Sequence, residues 1–383
     1  MGDLVITGAG VVTSIGQGRV EFFEALCRGA SGLGPLAYFE PRLFKQRSAY
    51  EIAGQVEPMR SSRLLGRAVR QALQDAGVEA GAEGMVVVVG TGLRELRSVE
   101  LWHAGGAALR PERLHFADAM REDLGFAGLT LTLSNACAAS SFALGVAEDL
   151  LELGEAERVL VAGCDTLTES MFGMLDRVNP VGLSALRPFG AAPKGVLMGD
   201  GAAAVVLERR DAARARGRSP LGVVKGVGMN CDAYNATAPR QDGIEASMRE
   251  AQRRARIAPP DVDLLVAHGT GTEQNDRTEA LAIREVFGRR RVPVPVTGLK
   301  SMVGHTSGAS GLVGVVAALE AMRRSLIPAT AYVSALIDEA RDLDLVTGEA
   351  RAAEVRVAQV NAFGFGGLNA VVILERPPDG PGA

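Results

Sequence analysis

The chain has no excess of either charge. Forty-one basic residues stand against 45 acidic ones, a formal net charge of −4, so no broad field draws in nucleic acid or an anionic membrane, and an acidic partner must meet a local patch. Cysteine is thin as well. Cys27, Cys137, Cys164 and Cys231 lie far apart, without the close pairs of a zinc site or the density of a disulfide scaffold. No metal is expected, and a reducing, cytoplasmic compartment is. The start, MGDLVITGAG, has an acid at Asp3 and glycines in its apolar run, not a basic leader, so export is not expected. Long apolar runs are missing too. Leu124–Ala147 and Ser301–Leu319 carry no Asp, Glu, Lys or Arg, but both are broken by Gly, Ser and Thr. They read as a strand or turn followed by a buried helix, short of the about 20 strongly apolar residues of a membrane span.

What is present is a large core. With 383 residues, 47% of them hydrophobic, the chain is long enough for two domains or one duplicated one. Strand and helix patterns alternate. Leu4–Ile6 begins a strand, Arg19–Cys27 and Ser61–Ala76 have helical spacing, and the β-branched run Met85–Gly92 reads as a strand buried on both faces. Arg158–Gly163 and Ala202–Leu207 read the same way, which predicts a parallel central sheet. Arg210–Pro220 is a solvated basic crossing. After it Leu221–Val227, Val262–Ala267, Val294–Gly298, Val355–Ala362 and Ala370–Glu375 read as strands, with helices at Ile244–Ala255, Glu279–Phe287 and Gly311–Met322. The expected fold is α/β in two similar halves, 1–218 and 219–383.

Cys137 sits where an apolar strand ends in a small-residue turn and reopens as a helix. A thiol there lies at the positive end of a helix dipole, where a thiolate is favoured and free N–H groups can hold an oxyanion; a small buried residue in an Ala/Ser-rich helix would read alike. Two of the four histidines lie in glycine-rich settings, His268 after a strand and His305 before a helix, with Lys300 five residues ahead of His305. Either alone fits a structural histidine. Three such groups in one chain favour chemistry.

These residues carry a resemblance. VITGAGVVTSIG, NACAASSFALG around Cys137, GDGAAAVVLE at Gly199–Glu208, HGTGT with Asp276, KSMVGHTSGASG and NAFGFGG, in that order, make the chain resemble the β-ketoacyl-acyl-carrier-protein synthases, condensing enzymes with a duplicated, thiolase-like αβαβα layered fold. The resemblance implies that Cys137 takes an acyl group from an acyl carrier protein and that malonyl-carrier protein then loses CO2 and attacks it. His268 and His305 would stabilise the enolate, and Lys300, held by Asp276 and Glu279, would order the histidines. The N–H groups of Cys137 and Phe365 would form the oxyanion hole, Phe365 would act as a gate, and Thr270 and Thr272 would contact pantetheine. No bound cofactor is implied. The partners would be an acyl carrier protein and a second subunit, identical or related.

The sequence departs from the fatty-acid members at Leu368, where they carry threonine, at Gly314, where they tend to carry glutamate, and in a shorter region before Cys137. These departures favour a polyketide or polyene pathway. A thiolase would need a second cysteine near the C-terminus, and the last here is Cys231. An initiating synthase would replace the second histidine with asparagine. A non-catalytic chain-length partner would lack the nucleophile. The arginines at 60, 63, 67 and 70 form one candidate face for an acidic carrier protein, or simply a solvated one, and the other three cysteines are expected to be buried.

Overall fold

The computed structural model describes residues 3–106, 108–179, 181–191 and 193–378. Its first half contributes the strands β1 (Leu4–Thr13), β2 (Met85–Gly90), β3 (Thr130–Leu133), β4 (Arg158–Asp165) and β5 (Gly201–Arg209). The second contributes β6 (Gly222–Cys231), β7 (Leu264–Val266), β8 (Pro295–Thr297), β9 (Val357–Gly364) and β10 (Leu368–Glu375). With two short additions they form a twelve-stranded sheet in the order β8-β7-β9-β10-β6-β1-β5-β4-β2-β3. Counted outward from the centre, each half runs first, fifth, fourth, second, third. The halves join where Leu4, Val5 and Ile6 pair with Val224, Val223 and Gly222.

The sheet is mixed, not parallel as the buried runs suggested. β4, β2 and β3 are parallel, as are β9, β7 and β8, but the two strands nearest the centre of each half run antiparallel. Burial on both faces is what parallel strands share with these, so composition could not separate them. The hairpin between β9 and β10 turns on Gly366 and Gly367, at φ 85° and 76°, a region glycine enters without penalty.

Alternation along the strands sets the layers. Val86, Val88, Val159 and Val161 face one way, onto Leu144, Ala147 and Leu151 of α2 and Leu312, Val315 and Val316 of α5, whose other side meets Leu264, Val266, Val360 and Val372. Here α1 is Arg60–Ala76, α2 Ala139–Leu153, α3 Gln241–Ala255, α4 Glu273–Phe287 and α5 Ser310–Arg324. The residues between, Val87, Val89, Leu160 and Ala162, pack under Leu65, Ala68 and Val69 of α1; Leu265, Val296, Val371 and Ile373 pack under Ile244 and Met248 of α3 and Ala282 and Ile283 of α4. Helix, sheet, helix pair, sheet, helix is the αβαβα order. Each fully buried Val or Leu adds about 1.5–3 kcal/mol.

The central helices must approach closely, and their small residues allow it. A Cβ on Gly311 would lie 2.1 Å from Ser141 Oγ, and Leu312 N donates to Ser140 Oγ at 3.1 Å, so the N-termini of α2 and α5 meet. Two surface expectations change. Arg210–Ala215 forms a short helix within the basic crossing. Arg60 is buried, its guanidinium 3.3 Å from Asp200 and stacked over Tyr38; only Arg63, Arg67 and Arg70 stay exposed. Asp200 is satisfied by Tyr38, Ile52 and Leu167. The expectation that the other cysteines are buried holds only for Cys164; Cys27 is half-buried, and Cys231 is exposed at the end of β6.

Candidate active site

Cys137 lies in a single 3-10 turn, Ala136–Ala138, in front of α2. Its Sγ is 3.0 Å from His305 Nε2. Burial pushes the thiol up to about 11, with Asp165's charge adding to the rise, against the pull of Lys300 and the N–H groups of Phe365 and Cys137 that point at the sulfur. Desolvation thus works against the thiolate expected from the helix terminus, and the helix-end N–H groups and Lys300 work for it. The backbone before Phe365 comes this close to the thiol's turn because residue 364 is glycine. A Cβ there would stand 3.1 Å from Cys137 N. The Phe365 side chain is 44% exposed, at the surface beside the thiol's turn.

His305 is clamped by its backbone. Its N–H donates to Leu197 O at 2.8 Å and its carbonyl accepts Gly199 N–H at 3.1 Å; a Cβ on Gly199 would lie 2.2 Å from Val303 O. That places the GDG segment next to the chemistry. Ser307 N–H donates to His305 Nδ1 at 3.2 Å, so the proton of the neutral ring is on Nε2, facing Cys137. Burial, then the Lys300 charge, holds the imidazole well below its ordinary range.

His268 reaches the same state by another route. Lys300 Nζ lies 3.3 Å from His268 Nδ1 and also donates to the His268 carbonyl. An ammonium only donates, so Nδ1 accepts and Nε2 carries the proton. Burial, Lys300 and His305 keep this ring neutral too. The two rings stand edge to face, centroids 5.6 Å apart, with Phe363 5.7 Å from His268. Together they present two neutral N–H donors in a buried pocket, an arrangement that stabilises a developing oxyanion.

Lys300 is not ion-paired with Asp276 or Glu279, contrary to the sequence expectation. Asp276 accepts Lys194 Nζ at 2.7 Å, Phe189 N at 2.8 Å and Gly271 N at 3.0 Å. Glu279 accepts His268 N and Gly269 N, each at 2.8 Å, and the amides of Asn361 and Asn275. Both carboxylates thus hold the loop after β7, whose glycines at 269 and 271 have positive φ, and act on Lys300 only through their field. Burial pulls Lys300 down to about 8, against the charges of Glu279, Cys137 and Asp276. Thr270 and Thr272 lie on the same loop, their hydroxyls 2.8 Å apart.

Sequence reasoning missed Asp165 and Lys194. Asp165, wholly buried, accepts Thr91 Oγ1, Gly92 N, Leu93 N and, at 2.6 Å, Gly308 N, tying the end of β4 to the turn after His305. A single acid at a strand end, far from any motif, gave no signal.

Known proteins resemble the chain over nearly its whole length. The family model described as Beta-ketoacyl synthase, N-terminal domain, matches residues 1–213, and that of the C-terminal domain matches 221–334. The 3-oxoacyl-[acyl-carrier-protein] synthase 2 of Synechocystis sp. is 31% identical over 97% of this chain and 98% of its own. Nodulation protein E of Rhizobium meliloti is 32% identical over 97% and 99%. A solved structure, the ishigamide ketosynthase/chain length factor, superposes with a TM-score of 0.91 at 32% identity, covering 98% of this chain and 99% of that one.

Proposed function

Because the chain belongs to the β-ketoacyl synthase family, we propose that it is a β-ketoacyl-acyl-carrier-protein synthase in which Cys137, His268, His305 and Lys300 carry a decarboxylative Claisen condensation. The single observation that carries this reading is the 3.0 Å approach of His305 Nε2 to Cys137 Sγ, with His268 facing the same pocket.

In the first stage the Cys137 sulfur attacks the thioester carbonyl of an acyl-carrier protein. The N–H groups of Cys137 and Phe365, already aimed at the sulfur, take the oxyanion, and the pantetheine sulfur leaves with the proton that Cys137 gives up. In the second stage the bond between the malonyl carboxylate and its α-carbon breaks. CO2 departs, and the electron pair becomes an enolate whose oxygen accepts the Nε2–H groups of His268 and His305. The enolate carbon attacks the acyl-Cys137 carbonyl, a carbon–carbon bond forms, and the Cys137 sulfur leaves as a thiolate that takes up one proton from solvent, giving the 3-ketoacyl thioester and the free thiol. No step needs either histidine as a base, which suits two rings that burial keeps neutral. Thr270 and Thr272 would line the pantetheine path, and Phe365 would swing from the thiol to admit the acyl chain.

The same reading gives partners. An acidic acyl carrier protein would meet the exposed Arg63, Arg67 and Arg70. A second ketosynthase-like subunit, identical or related, would pair along β3, the outermost strand of the sheet, next to exposed Leu129 and the Phe142, Val146, Leu150, Leu153 row of α2, which is only partly covered. Unpaired cysteines support a cytoplasmic setting. Among the described residues no helix is long and apolar enough to cross a membrane. Gly314 and Leu368 support a polyketide or polyene substrate over housekeeping elongation. The alternative, a non-catalytic chain-length partner, is disfavoured by the assembled Cys137–His305–His268 set. Intact-protein mass after incubation with acyl-carrier protein decides: one acyl adduct on Cys137 is expected, and no adduct together with no CO2 from malonyl-carrier protein overturns the reading.

A further inference from the structure

One set of buried amides outside the reacting cluster is strung in a line toward it. On β9, Ala358 and Val360 face the central layer, so Val357, Gln359, Asn361 and Phe363 share the opposite face, under α3 and α4. Gln252 of α3 donates from Nε2 to Gln359 Oε1 at 3.0 Å. Gln359 donates from Nε2 to Asn361 Oδ1 at 2.9 Å, and Asn361 from Nδ2 to Glu279 Oε1 at 3.1 Å. Glu279 in turn holds the N–H groups of His268 and Gly269. Gln252, Gln359, Asn361 and Glu279 are at most 4% exposed, so water does not substitute for a lost partner.

The carboxylate fixes the direction of the whole line. It can only accept, so Asn361 must turn its NH2 inward and its carbonyl outward; that carbonyl needs a donor, which orients Gln359, and the remaining acceptor of Gln359 orients Gln252. Reversing one amide would set like against like. We propose that Gln359 and Gln252 are positioning residues for His268: by locking Asn361 with its NH2 on Glu279, they hold Glu279 where it fixes the His268 loop and aims Nε2–H at the enolate oxygen. Neither touches a reacting atom. The catalytic consequence rests on the decarboxylative reading above; the structural one does not.

The test compares Gln359→Leu with the pair Gln252→Leu/Gln359→Leu. The single change strands Gln252 and the Asn361 carbonyl, whereas the pair strands the Asn361 carbonyl alone and so costs less folding stability, which keeps the test usable if the single variant folds poorly. Three quantities are read: CO2 release from malonyl-carrier protein, acyl loading of Cys137, and hydrogen exchange of the His268 and Gly269 amides. For the pair, kcat for CO2 release should fall about tenfold with KM and acyl loading within about twofold, because sub-ångström misplacement of a donor is enough for such a loss. The two loop amides should exchange faster while α1 and α2 keep their protection. Parental exchange with parental kcat overturns the proposal, and so does a parallel fall in both half-reactions with general loss of protection. If the parental protein itself releases no CO2, the decarboxylative reading fails, and the exchange comparison alone decides whether the amide line holds the loop.

Discussion

The two halves repeat one corner and finish it differently. In each, the central helix starts behind a single 3-10 turn whose first residue has φ 48°, Ala136 before α2 and Ser307 before α5. In the second half the N–H at the middle of the turn, that of Gly308, is taken by Asp165 at 2.6 Å. In the first half the matching N–H belongs to Cys137 and is left pointing at its own sulfur, joined by Phe365 N–H from the end of β9. Duplication thus supplies two electropositive helix ends that meet at Gly311 and Ser141. One is closed by a buried carboxylate and fixes His305; the other stays open for an oxyanion. The open corner also carries a penalty, since Asp165's charge raises the Cys137 thiol.

The two corners separate most sharply when the nucleophile alone is removed. Cys137→Gln should abolish 3-ketoacyl product while malonyl-carrier protein still loses CO2, because the enolate donors belong to the other half. Product assay and labelled CO2 release separate the two.

Closing one corner with Asp165 can be undone next. Asp165→Asn puts an NH2 among donors, leaving a buried group unpartnered at a loss of about 1–3 kcal/mol in denaturant unfolding. Because the charge that disfavours the thiolate is gone, the Cys137 alkylation rate should rise at lower pH than in the parent. An unchanged alkylation profile would mean that Asp165 does not act on the open corner.

Lys300 gives a smaller, pH-dependent effect. Only its ammonium form obliges His268 Nδ1 to accept, and that form is present below about 8 and lost above it. CO2 release should therefore hold level through neutrality and decline above about 8, and Lys300→Met should start lower and lack that decline. A rate that keeps rising through this range would remove Lys300 from the histidine network.

The smallest effect concerns the packing that lets the corners meet. At Gly314 a Cβ would lie 2.7 Å from Val360 Cγ1, so Gly314→Ala should cost about 1–3 kcal/mol of stability through overpacking, read by thermal unfolding, with little change in acyl loading.

Much of this was legible beforehand. Runs such as Met85–Gly92 and Arg158–Gly163 announce buried strands by composition, and Cys137, His268, His305 and Lys300 stand in motifs that the structure brings to one pocket. What stayed hidden depends on three-dimensional competition for partners. Asp276 and Glu279 have the right charge to pair with Lys300, yet backbone N–H groups and Lys194 claim them first. Arg60 falls on the helical spacing of a surface row, yet the pull of buried Asp200 takes it inside. Gln252 and Gln359 lie 107 positions apart, and only the packing of α3 over the sheet makes them neighbours.

Whether the closed corner's histidine and the one across the pocket hold the enolate as neutral donors is read most directly from CO2 release in the Cys137→Gln background. Adding His268→Ala or His305→Ala should lower release about a hundredfold or more, the usual loss for one preorganised oxyanion donor, while in the parental background both changes leave some acyl loading of Cys137. Release at the Cys137→Gln rate in either histidine variant would contradict the account.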